Sequence, residues 1–246
     1  MEKKTIETFI KKYNLNGLIE KVRWNIKDNT LSVAAITDDK KFLASVTQKK
    51  FDSAENVVIG IIDSSKIKQM LGALLGDTVN VDLDKDESDA DRVLSLVFSD
   101  DKIEINCQAA DLDVVGKGAS VKSIPAFDVE IALTEEFIES FLKAKAALPE
   151  ADLFTLMINK RKQNLELVLG YNKNNSNRIS VAIPKSTGVV KAPISFSARN
   201  LKAILDANSE CKDAVLKVSE AGMAYVEFDQ DGFQSQYYMV KIDVED

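Results

Sequence analysis

The sequence predicts an α+β protein built from two similar domains. Three observations predict it. Apolar residues recur at helical spacing in four separate stretches, short runs of strand type fill the chain between them, and the order of one helix with three or four strands returns four times in 246 residues. Two such cycles fall in each half of the chain, which divides it into a first domain over 1–110, a connector over 111–126 and a second domain over 127–246.

The first cycle opens with an amphipathic helix over 2–14 and continues with strands at 20–27, 30–37 and 41–49, parted by Asp28-Asn29 and Asp38-Asp39. Trp24, the one tryptophan, lies in the first of these strands. The second cycle starts with a short apolar run at 57–62. Ser64-Ser65 then offers an N-cap, and Ile67, Met70, Leu71, Leu74 and Leu75 carry a helix to Gly76, before strands at 78–84, 92–99 and 102–107. The second half repeats the order with a strand at 127–133, a helix over 134–148 and strands at 153–159, 165–171 and 178–183. A last cycle places a strand at 193–196, a helix over 197–209 and strands at 214–219, 223–229 and 236–244.

Charge sets the helices apart from the rest of the chain. The formal net charge is −7, yet the segments 2–14, 64–76, 134–148 and 197–209 carry +2, +2, −1 and +1, which leaves −11 on everything else. An acidic body with basic helices repels polyanions everywhere except on one surface. Within each helix the apolar stripe separates from the cations. Ile67, Met70, Leu71 and Leu74 turn away from Lys66, Lys68 and Gln69, and Leu201, Ile204 and Leu205 turn away from Arg199 and Lys202. One lysine on a helix is an ordinary solvated face; its return on three of four equivalent helices points to use.

Several chemistries are disfavoured by composition. With no histidine, the chain lacks Ser–His–Asp and Cys–His nucleophile systems and the usual zinc sites. Gly116-Lys117-Gly118 has neither the third glycine nor the following helix of a phosphate loop and reads as connector. The stretch from Asp82 to Asp86 begins like a calcium loop, but Glu87 replaces the turn glycine and Val93 the bidentate glutamate. Cys107 and Cys211 read as buried free thiols. Neither an apolar leader core nor an apolar run of membrane-spanning length is present, so an intracellular soluble protein with no membrane partner is expected. No cofactor, metal or catalytic residue is expected, and a carboxylate-dependent hydrolase is the alternative that acidic content alone leaves open. The connector mixes Gly116, Gly118, Ser120, Ser123 and Pro125 with Val114, Val115, Val121 and Ile124, apolar residues that either anchor it or border a groove for a partner.

The stretches Phe196-Ser-Ala-Arg-Asn-Leu-Lys202, Val215-Leu-Lys-Val-Ser219, Val226-Glu-Phe228 and the terminal Tyr237-Tyr-Met-Val-Lys-Ile-Asp-Val-Glu-Asp246 resemble the C-terminal half of proliferating cell nuclear antigen and related sliding clamps. Asp111-Leu-Asp-Val114, Val93-Leu-Ser-Leu-Val-Phe98 and Trp24-Asn-Ile26 resemble the first half of the same family, whose members are archaeal, eukaryotic or virus-encoded. The resemblance implies the DNA clamp fold, with two helices on antiparallel sheets per domain. It also implies a homotrimer closed head-to-tail around double-stranded DNA, held through phosphates without base reading. On that reading Lys4, Lys11, Lys12, Lys66, Lys68, Lys143, Arg199 and Lys202 face DNA, while Glu135, Glu136 and Glu139 break the basic pattern on the third of the four helices.

The resemblance further implies a clamp-loader ATPase and a pocket into which DNA polymerase and other clamp-binding enzymes insert a peptide. The matching positions are Ile36, Phe42, Ile124, Pro125, Tyr238 and Val240. The proline that commonly follows the paired tyrosines is missing here, and Tyr238 equally reads as a core residue. Subunits would meet through Ile103, Ile105 and Cys107 on one strand and Arg178, Ile179, Val181 and Ile183 on another, unless either strand is internal to its sheet. The processivity factor so implied lies in the cytoplasm of a prokaryote or infected host, or in a nucleus. A monomeric polymerase accessory factor of the same fold is the alternative.

Overall fold

A computed structural model of the chain describes residues 1–51, 55–121, 123–159, 161–172, 177–211 and 214–244. In chain order the elements are α1 (Lys3–Asn14), β1 (Val22–Lys27), β2 (Thr30–Ile36), β3 (Phe42–Gln48), β4 (Val57–Ile61), α2 (Ser64–Leu71), β5 (Asn80–Asp86), β6 (Asp89–Ser99), β7 (Glu104–Gln108) and α3 (Leu112–Val115). They continue with β8 (Val129–Ala132), α4 (Glu135–Ala147), β9 (Leu153–Asn159), β10 (Asn164–Leu169), β11 (Ile179–Ala182), β12 (Ser186–Gly188), β13 (Ile194–Ser197), α5 (Ala198–Ala207), β14 (Val215–Ser219), β15 (Met223–Gln230) and β16 (Phe233–Val240). The fold is α+β, and every described strand pairing is antiparallel.

The chain resolves into two compact units. One comprises residues 1–37, 43–120 and 229–235, the other residues 38–42, 121–228 and 236–246. In the first, β4-β1-β2-β3 form one stretch of sheet and β5-β6-β7 another. Asp28 and Asn29 close the β1–β2 hairpin with φ of 49° and 56°, the left-handed pair that a tight two-residue turn requires. Helix α1 buries Ile6, Phe9, Ile10 and Tyr13, and Phe9 meets Trp24 edge-on at 5.7 Å. Burial of two polar aromatic tips is offset by a relay: Trp24 Nε1 donates to Tyr13 Oη at 3.0 Å, Tyr13 donates to Ser64 Oγ at 3.0 Å, and Ser64 donates to the Glu20 carbonyl at 2.7 Å. One chain of hydrogen bonds thereby fixes α1, β1 and the first residue of α2.

In the second unit the sheets run β12-β8-β14-β15-β16 and β11-β10-β9-β13. Phe137, Phe141, Phe154 and Phe196 fill its core, with Phe141 and Phe196 both against Phe154. Asn208, buried at the end of α5, donates to Ile204 O and to Tyr237 Oη at 3.0 Å, which ties the helix end to β16. Phe42, in a segment that belongs to this unit, stacks on the same Tyr237.

Several details differ from the sequence expectation, among them the cap of α2, which is Asp63 and not Ser64-Ser65. The helix expected over 64–76 stops at Leu71, because Gly72 opens a turn and the Asp100 carboxylate takes the N–H groups of Leu75 and Gly76. A short helix, α3, forms inside the connector with Asp111 as its cap. A three-residue strand, β12, pairs with β8. The last strand begins at Phe233 and ends at Val240, after which Ile242 N–H turns to Ser195 O at 2.8 Å; residues 245–246 of the terminal motif lie outside the described residues.

Candidate nucleic-acid and partner interfaces

On α2 the basic side chains stand on a capped first turn. Asp63 accepts from Lys66 N–H at 2.7 Å, and Glu20 accepts from Ser65 N–H at 2.9 Å, so the first turn of α2 is held and Lys66 and Lys68 project as exposed cations. On α1, Lys4 is exposed and Lys11 half-buried, both away from the Ile6-Phe9-Ile10-Tyr13 stripe. Lys12 corrects the expectation. It is 1% exposed, with Nζ 5.6 Å from the Phe233 ring centre, because it falls on the buried face beside Tyr13; it is a core cation and not a surface contact.

The second unit handles its cations differently. Lys143 is paired with Glu139 at 2.6 Å one turn earlier, and this contact holds the Glu139 carboxyl below its usual range. Lys202 is paired with Asp206 on α5, whereas Arg199 is exposed at the start of that helix, which Ser197 caps through Asn200 N–H at 3.1 Å. Lys145, on the buried face of α4, donates to the Pro149 carbonyl.

The strands expected at the edges are at the edges. β7 is an outermost strand of β5-β6-β7 and β11 is outermost in β11-β10-β9-β13. Their side chains, however, alternate into their own cores. Ile105 at 7%, Cys107 at 5%, Val181 at 5% and Ile183 at 9% are nearly closed to solvent, Ile103 and Ile179 are half-buried, and Glu104, Asn106, Gln108, Ser180 and Arg178 point outward. Burial also pushes the Cys107 thiol up. A contact on these edges would use backbone groups and outward side chains, with Ile105, Cys107, Val181 and Ile183 buried in their own units. Beside β11 a cavity of about 510 Å³ opens between Ile179, Val181 and Pro184 and the Phe137, Ser140 and Ala144 positions of α4.

The expected peptide-pocket residues divide. Phe42 is 2% exposed and belongs to the core through Tyr237, which corrects its placement in a pocket wall. Ile36, Ile124 and Val240 are exposed, and Pro125 and Tyr238 are half-buried. Along β16, Tyr237 and Met239 face the core, so Tyr238 stands on the opposite face. There it meets Tyr225 at 4.8 Å, and Tyr225 stacks on Phe127 at 5.8 Å. Glu227 steadies the group by accepting from Tyr225 Oη at 2.8 Å and from Gln236 Nε2 at 3.0 Å. Burial first, and the Glu227 charge after it, raise both tyrosine hydroxyls above their ordinary values. Sequence reasoning missed Tyr225, Phe127 and Glu227, although Tyr225 and Glu227 alternate with the core residues Ala224, Val226 and Phe228. Nearby in the same unit, Tyr171, Pro193, Ile194, Lys241 and Ile242 line a cavity of about 500 Å³.

The connector is bonded to the first unit strand by strand. Gly60 of β4 and Ala110 form an isolated bridge, with Ala110 N–H on Gly60 O at 2.8 Å; Arg23 of β1 donates to the Leu112 carbonyl; and Ala119 N–H reaches Ala34 O of β2 at 3.1 Å. An added Cβ at Gly60 would lie 2.3 Å from Ala110 O, so only glycine allows this approach.

No family model matches the sequence, and no curated protein matches it. Among solved structures the chain is similar to Proliferating Cellular Nuclear Antigen from Entamoeba histolytica, at a TM-score of 0.72 and 16% identity over 98% of this chain and 96% of that one. Likeness of that extent, with two long helices and two antiparallel sheet stretches in each unit, shows that this chain has the clamp fold of proliferating cell nuclear antigen.

Proposed function

We propose that the chain is a sliding clamp: three copies close head-to-tail into a ring that encircles duplex DNA without catalysing a reaction and tethers a DNA polymerase and other enzymes to it. The observation that carries the reading is the clamp fold over nearly the whole chain, combined with exposed cations gathered on helices of an otherwise acidic protein. Head-to-tail closure needs two different complementary edges on each copy. β7 and β11 are such edges, short and outermost, and their pairing across copies would satisfy the backbone groups of both. The cations would attract phosphates regardless of sequence, which lets a ring move along DNA.

Tethering would use Tyr238, Ile124, Pro125 and Val240 as anchors for a partner peptide, with an ATPase loader opening the ring inside the cell. Sedimentation equilibrium at micromolar concentration is the test of assembly, and retention on nicked circular against linear DNA is the test of encirclement. A mass three times the 27.2 kDa of one chain, with retention lost when the circle is cut, is the expected result. A mass of 27.2 kDa would favour a monomeric accessory factor instead.

A further inference from the structure

The four long helices do not share their charge equally. α1 and α2 hold Lys3, Lys4, Lys11, Lys12, Lys66 and Lys68 against Glu7 alone, a net +5. α4 and α5 hold Lys143, Lys145, Arg199 and Lys202 against Glu135, Glu136, Glu139 and Asp206, a net of zero. The availability of the cations is more unequal still. Lys4, Lys11, Lys66 and Lys68 make no ion pair among the described residues. In the second unit Lys143 and Lys202 are each paired with an acid on their own helix and Lys145 is buried, which leaves Arg199.

The acids at the start of α2 form no ion pair with its lysines among the described residues. Asp63 and Glu20 are spent on N–H groups of the helix's first turn, where a carboxylate compensates the helix dipole. On α4 the exposed acids stand on the same solvent-facing side as Lys143, since Glu135, Glu136, Glu139 and Lys143 are all exposed. A phosphate approaching α4 meets carboxylates first.

We infer that contact with the DNA backbone is made by the first unit's helices, through Lys4, Lys11, Lys66 and Lys68, and that α4 with α5 forms an electrostatically neutral stretch joined to DNA at most through Arg199. The inference rests on the clamp reading, which supplies DNA as the polyanion. A duplex so held would be gripped once per copy and not once per unit. Between grips the neutral stretch would let phosphates pass, which lowers the cost of moving along the duplex.

The test uses the full chain and a labelled 30-base-pair duplex. Each phosphate neutralised contributes about 0.9 to the slope of log affinity against log salt. Lys66→Gln with Lys68→Gln should therefore lower that slope by up to about 1.8 per engaged copy. Lys143→Gln with Lys202→Gln should leave it unchanged, and Glu136→Gln with Glu139→Gln should steepen it. Acetylation footprinting read by mass spectrometry gives a second measure on the unmodified protein: the duplex should protect Lys66 and Lys68 and leave Lys143 and Lys202 as reactive as before. Equal slope losses for the two lysine pairs, or equal protection, would overturn the inference while leaving the clamp reading intact. Absence of any salt-dependent association by the wild-type chain would overturn the clamp reading itself.

Discussion

Gly60→Ala tests how the connector is held. The new Cβ would sit 2.3 Å from Ala110 O, 3.1 Å from its carbonyl carbon and 3.2 Å from Val115 Cγ2. The first neighbour is backbone, so no side-chain rotation relieves the clash and Ala110 must withdraw by close to an ångström. Withdrawal breaks the 2.8 Å bond from Ala110 N–H to Gly60 O. Overpacking of this kind costs about 1–3 kcal/mol, and the lost hydrogen bond about 1 more. The chain has a cheaper escape, because lifting residues 110–115 off β4 relieves the strain at the expense of the bridge and the Arg23 contact, with the bond from Ala109 N–H to Leu94 O kept. Global stability should therefore fall by no more than about 2 kcal/mol, while the amides of residues 110–119 should lose most of their exchange protection. Hydrogen exchange by mass spectrometry and urea unfolding measure the two effects together. Unchanged protection at Ala110 would show that the close approach is not what holds the connector, whatever the urea midpoint does.

Three further outcomes follow from named contacts. Asp100 accepts from the N–H groups of Leu75, Gly76, Lys102 and Ile103, which hold its carboxyl well below the ordinary range, so Asp100→Asn should lower the urea midpoint at pH 7. A depressed folded-state value means that this stabilisation is present above the unfolded value of about 3.9 and is lost as pH falls through the folded one; wild type and variant should thus converge toward pH 2, and a gap that stays constant with pH would refute the assignment. Val181→Asp should destabilise its unit by about 3–5 kcal/mol, because it leaves a charge unpaired in a 5% exposed site, and circular dichroism showing a folded monomer of native stability would place Val181 on a surface after all. Tyr225→Phe and Glu227→Gln should weaken binding of a polymerase C-terminal peptide by roughly tenfold through loss of Tyr238 positioning, against a loss of about 2 kcal/mol or more for Tyr238→Ala; calorimetry with equal affinities for all three variants and the wild type would locate the partner site elsewhere.

Elements whose stability is local were legible in the sequence, and those set by a distant partner were not. Helix α5 announces itself through Ser197, its cap, and the Leu201-Ile204-Leu205 stripe, and the β1–β2 hairpin through Asp28-Asn29. Helix α2 was overextended because Leu74 continues its stripe, while the residue that ends it, Asp100, lies at the far side of two strands. Lys12 read as exposed for a similar reason. Helical spacing put it beside Tyr13 on the edge of the buried face, and the Phe233 ring that covers it comes from a segment over two hundred residues later. Period-two alternation found the strands bearing Ile105 and Val181, but alternation is the same whether the apolar face meets its own core or another chain. Tyr238 read as pocket or core from the sequence, and only the burial of Tyr237 and Met239 on either side, with Tyr225 and Phe127 building its surroundings, placed it on the outer face.

How an acidic chain keeps free lysines on one helix can be read from what its neighbouring acids do. Around α2 the carboxylates of Asp63, Glu20 and Asp100 are all committed to backbone N–H groups, two at the start of the helix and one just past its end. Such acceptors satisfy backbone donors that the helix itself leaves without partners, and among the described residues they form no ion pair with Lys66 or Lys68. On α4 the capping oxygen is the neutral hydroxyl of Thr134, which accepts from Phe137 N–H at 3.3 Å, while Glu135, Glu136 and Glu139 stand on the exposed face and Lys143 pairs with Glu139. The choice of capping group thereby decides where the acids near a helix point, toward backbone N–H groups at its ends or along its exposed face beside the lysines. Replacing a capping carboxylate by serine at Asp63 would preserve the cap and raise the local charge by one, whereas moving an acid to the middle of α2 would neutralise a lysine with no change in net charge elsewhere.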